Sequence, residues 1–82
     1  MPPLSTTIDR IRAFIVDELG WRGPELTPDY PLLENRVIDS LGLFRIVGFL
    51  EDNYGVSIPD EKVVPASFQT LTSIAGLVDQ TA

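Results

Sequence analysis

With 82 residues the chain has room for one small domain, which would bury only about 60% of its unfolded surface, so its core must be compact. Hydrophobic residues at 44% and charged residues at 22% are a globular rather than a disordered composition. Six Lys+Arg against twelve Asp+Glu give a net charge of -6, which disfavours nucleic acid and anionic lipid as ligands, and the absence of Cys and His removes disulfides and the usual zinc, iron and copper ligand sets.

The leading "MPPLSTTIDR" has no basic region followed by an apolar core, and no segment approaches the ~20 apolar residues of a membrane span. A cytoplasmic monomer, with no membrane contact, is the expectation. Thr6 offers a helix cap, with Asp9 as a weaker capping-box partner. Ile8, Ile11, Ile15 and Leu19 follow at helical spacing, and Gly20 stops this first helix. Residues 20–39 contain Gly20, Gly23, Pro24, Pro28 and Pro31, so they cannot form one helix or a central strand. They read as a long ordered loop pinned to the core by Trp21, Leu26, Tyr30, Leu32 and Leu33. Such a connection is uncommon in a small domain and usually has a functional reason.

The spacing predicts the strongest helix over 40–54, where Leu43, Ile46, Val47, Leu50 and Tyr54 share one sector at about 100° per residue and Gly55 supplies the stop. Pro59 and Pro65 then leave space for only a short third helix before Phe68. Thr70 can cap a fourth, with Leu71, Ile74 and Val78 on one stripe and Leu77 beside it. There is no internal repeat, low-complexity tract or period-2 alternation. The expected fold is all-α, a small antiparallel four-helix bundle with three main helices, one short third helix and a long loop between the first two.

Three places bear on chemistry. Asp39-Ser40 has a plain reading, because both residue types are favoured helix N-caps. The same geometry also sets a serine hydroxyl at a helix N-terminus facing solvent, where an attached phosphate would meet the positive end of the helix dipole. Ser40 is a poor candidate for a hydrolase nucleophile: no histidine exists to take its proton, and the one lysine, Lys62, would have to lie close, buried and deprotonated. The stretch "LEDNYGVSIPDE", residues 50–61, aligns Gly55 and Glu61 with positions six and twelve of an EF-hand, yet Leu50 and Tyr54 occupy ligand positions, so calcium is rejected. On the outward sector of the second helix lie Leu41, Phe44, Arg45, Gly48 and Asp52. Leu41 and Phe44 are either ordinary exposed apolar residues or a small charge-rimmed docking patch.

Asp39-Ser40-Leu41, "FLEDNYGVSIPDE" and "FQTLTSIAGLV", in this order and spacing, resemble the acyl and peptidyl carrier protein family, over roughly residues 6–79 of a single carrier domain spanning 1–82. The first looks like that family's Asp-Ser-Leu attachment motif. The resemblance implies a non-enzymatic carrier whose Ser40 receives 4'-phosphopantetheine from coenzyme A through a phosphopantetheinyl transferase, which Asp39 helps to position with its metal. Cargo, acyl or aminoacyl, would travel as a thioester on the arm between a loading ligase or adenylation enzyme and downstream synthase or tailoring enzymes. Leu41, Phe44, Arg45 and Gly48 would be the partner face.

The chain departs from the fatty-acid type, whose second helix is usually acidic, by carrying Gly42, Arg45 and Gly48 at positions expected to be accessible. The ending and this mixed charge lean towards a discrete polyketide or nonribosomal-peptide thiolation protein of secondary metabolism. Where many carriers have a glycine shortly before Asp-Ser, this chain has Asn35-Arg36-Val37-Ile38, and Asn35 is the candidate for a left-handed backbone. The alternative from another class is an unmodified helical interaction module.

Overall fold

A computed structural model describes residues 4–81. Its elements are α1 (Leu4–Asp17), α2 (Ser40–Tyr54), two short 3-10 turns (Asp60–Lys62 and Pro65–Phe68) and α3 (Leu71–Thr81). No strand occurs among the described residues, so the fold is all-α, a helical bundle as the periodicity implies.

α1 begins earlier than the expected cap. Thr6 lies inside the helix, whose first residue is Leu4. Asp9 does not complete a capping box but pairs with Arg12 at 2.7 Å. At the other end Gly20 is left-handed, with φ of 76°, and the Trp21 N–H donates to the Ile15 carbonyl at 3.3 Å. Glycine adopts that backbone without the Cβ clash that penalises other residues, which is why the chain turns there.

The loop that follows is ordered by packing and by backbone hydrogen bonds. Leu26 and Leu32 are buried, while Trp21, Tyr30 and Leu33 pack against the core from its edge. Arg12 Nε donates to the Leu26 carbonyl at 2.7 Å, tying the loop to α1. The Leu32 N–H donates to the Gln69 carbonyl at 2.8 Å, and the Thr72 N–H to the Pro28 carbonyl at 3.1 Å, tying it to the start of α3. The left-handed residue is Arg36, with φ of 57°, and not Asn35. Asn35 instead continues a turn, its side-chain amide donating to the Pro31 carbonyl at 2.8 Å.

The expected short third helix is two separate 3-10 turns. Pro65 has no N–H to donate and forces Val64 into an extended backbone (φ -133°, ψ 156°), so a continuous helix cannot cross that point. Phe68, at the end of the second turn, is fully buried. α3 then starts behind Thr70 as expected: the Ser73 N–H donates to Thr70 Oγ1 at 3.1 Å while the Thr70 N–H donates to Ser73 Oγ at 3.0 Å, a reciprocal cap in which serine stands in for the usual Glu.

One apolar cluster joins the three helices and the loop. Its most enclosed members include Ile11 and Ile15 of α1, Ile46 and Leu50 of α2, Leu71 and Ile74 of α3, and Phe68. α1 packs on α3, and it meets α2 through Phe14 and Phe49, whose ring centres are 4.5 Å apart. Val56 and Ile58 are buried on either side of exposed Ser57, in a short irregular stretch held where the Ile58 N–H donates to Glu51 Oε2 at 3.0 Å.

Candidate site at the head of α2

The sequence places the start of α2 by a local rule that the structure reproduces. Asp39 is the N-cap, extended at φ -111° and ψ -171°, and its Oδ1 accepts the Gly42 N–H at 2.7 Å. This satisfies one of the N–H groups that a helix start leaves without an intrahelical partner. Ser40 is therefore the first helical residue and not the cap. Its side chain is exposed, and among the described residues no hydrogen bond engages its hydroxyl.

Ile38 and Leu43 flank that cap and are both buried. They occupy the two positions of a hydrophobic staple, which fixes the angle at which the loop enters the helix. Val37 beside them is buried as well. Val37 and Ile38 are given no core role from the sequence alone, although an apolar pair directly before an Asp-Ser cap is the signal that identifies a staple.

On the outward face Leu41 is 71% exposed and Phe44 64% exposed, and Arg45, Gly48 and Asp52 are exposed with them. Gly48 has nothing within 4 Å of the Cβ it lacks. Gly42 departs from expectation, for it is buried and not accessible. A Cβ there would sit 3.3 Å from Asp39 Oδ1 and 3.5 Å from the Leu19 side chain, because the turn that follows α1 closes over this turn of α2.

This arrangement presents a free hydroxyl on a rigid helix start, with a carboxylate one residue before it and apolar side chains beyond. Among the described residues no hydrogen bond joins the hydroxyl to a base, and Lys62 is exposed in the first 3-10 turn, not in the buried setting a lysine base requires. The site therefore suits a reaction performed on it by another protein.

Residues 9–79 match the family described as "Phosphopantetheine attachment site". The chain is also similar to an acyl carrier protein of Akkermansia muciniphila, at 31% identity over 70 residues that cover 85% of this chain and 81% of that protein.

Proposed function

The chain belongs to the phosphopantetheine attachment-site family, and from that premise we propose that Ser40 is the residue that bears the arm. As a member it is a carrier and not an enzyme, and its prosthetic group is 4'-phosphopantetheine. The residues present fit that group. The Ser40 hydroxyl is exposed, it is unengaged among the described residues, and it stands at the positive end of the α2 dipole, where an attached phosphate is favoured. That free hydroxyl is the observation that carries the proposal.

In the transfer, a bond forms between Ser40 Oγ and phosphorus while the pyrophosphate bond of coenzyme A breaks. The nucleotide half leaves, and the hydroxyl proton passes to a base of the transferase. Asp39 uses Oδ1 for the cap, and among the described residues no hydrogen bond reaches Oδ2. In this reading Oδ2 helps the transferase to position its metal.

Residues 1–82 then act as a single carrier domain, its core roughly 6–79, that holds an acyl or aminoacyl thioester and meets its enzymes through Leu41, Phe44, Arg45 and Gly48. The mixed charge of α2 supports a discrete carrier of the polyketide or nonribosomal-peptide type: the helix has no acidic residue in its first turn, and Arg45 is exposed ahead of Glu51 and Asp52. Partners would be a loading ligase or adenylation enzyme and a downstream synthase or tailoring enzyme, in the cytoplasm. Intact-mass measurement after incubation with coenzyme A and a promiscuous transferase tests the attachment. The unaltered chain is expected to gain the mass of the arm and Ser40→Ala to gain nothing. An unmodified chain, or a modified Ser40→Ala, overturns the proposal.

A further inference from the structure

A cleft of about 360 Å³ opens beside Ser40, between the end of α1 and the head of α2, and its walls include both neighbours of that serine, Asp39 and Leu41. Two of the six basic residues of an acidic chain line it, Arg36 and Arg45, against one carboxylate, Asp39. The Arg36 guanidinium makes no hydrogen bond or ion pair among the described residues. Arg45 makes one long contact, 3.4 Å from Nη1 to the carbonyl of Glu18, in the turn that follows α1. Arg36 also holds a left-handed backbone at φ 57°, a conformation that is costly for a residue with a long side chain.

From this placement we infer that the cleft is a subsite for an anion at the root of the arm, the phosphodiester joined to Ser40, with Arg36 and Arg45 as its counter-charges. The inference rests on attachment at Ser40. A phosphodiester is held within a few bonds of Oγ, whereas a carboxylate on the cargo would sit at the far end of a flexible arm, so the position of the cleft favours the phosphate. Guanidinium groups suit phosphate oxygens through paired N–H donors. Without them, a new negative charge beside Asp39 in a chain of net charge -6 would destabilise the fold by repulsion.

The test compares apo and fully converted holo protein, with conversion established by intact mass. Failure to convert refutes the attachment and the subsite together. Given conversion, the Nε–Hε NMR signals of Arg36 and Arg45 are expected to shift on going from apo to holo with an unloaded arm. In Arg36→Gln/Arg45→Gln, the holo thermal midpoint is expected to fall by about 2–5 °C more than the apo midpoint. Unmoved arginine signals, or equal falls in the two forms, overturn the inference. Signals that move only once the arm carries a carboxylate-bearing cargo also overturn it, and assign the cleft to cargo. The NMR comparison uses the unaltered chain, so it decides the matter even if the double variant does not fold.

Discussion

Asp39 Oδ1 accepts the Gly42 N–H at 2.7 Å, and the Cβ that Gly42 lacks would lie 3.3 Å from that same oxygen. The cap at the head of α2 and the absence of a side chain three residues on are thus one arrangement, which brackets the exposed serine in sequence.

Asp39→Ala removes the cap acceptor and is expected to cost about 1 kcal/mol, lowering the thermal midpoint by roughly 4–8 °C. Asp39→Asn keeps an acceptor and should retain most of the stability while losing the charge. If the charge serves the transferase, Asn slows arm attachment far more than it lowers the melting midpoint. Equal losses in the two measurements would assign Asp39 to capping alone.

The two glycines of α2 that stand near the site should respond differently to alanine. Gly48 faces open space, so Gly48→Ala is expected to stabilise by about 0.5–1 kcal/mol in urea or thermal unfolding. Gly42→Ala gains the same helix propensity but crowds Asp39 and Leu19, so it should be the less stable of the two variants. If Gly48→Ala leaves partner turnover unchanged, the idea that its small size admits a docking partner loses its basis.

Leu41→Ala and Phe44→Ala remove side chains that are 71% and 64% exposed, and each should alter folding stability by less than about 0.5 kcal/mol. If they anchor the proposed partner face, each replacement should raise the KM of a loading or downstream enzyme about tenfold, since interface anchors exceed about 1 kcal/mol. An unchanged KM would place docking elsewhere on the surface.

Glu51→Ala takes away the acceptor of the Ile58 N–H, a bond of 3.0 Å that holds the Val56 and Ile58 side chains in the core. A cost of about 1–2 kcal/mol is expected, seen as a lower urea midpoint. Glu51→Gln retains an acceptor oxygen and should lose less. Equal losses would mean that charge, and not the hydrogen bond, is what the position needs.

Much of the bundle could be read along the chain because the forces concerned act within a few residues. Helix α2 runs from Ser40 to Tyr54 as its apolar spacing and the stop at Gly55 imply, and the Thr70 cap and the turn at Gly20 follow from equally local rules. The pinning residues Leu26 and Leu32 were legible too, since apolar residues in a proline-rich segment have little to do except pack. The Asp39-Ser40 pair was legible as a cap, although which of the two residues caps was not.

Other features depend on what lies alongside in space. Gly42 is buried because Leu19 reaches over it, and a period of 3.6 along α2 carries no information about the end of α1. Arg36, not Asn35, takes the left-handed backbone in a loop whose path is held by bonds to Gln69 and Thr72, distant in sequence. The cleft with its two arginines exists only where that loop, α1 and α2 meet. Helical periodicity and capping are properties of one segment and could be read from it, while coverage of a given residue is set by neighbours brought together by collapse of the core, and only the folded chain decides those.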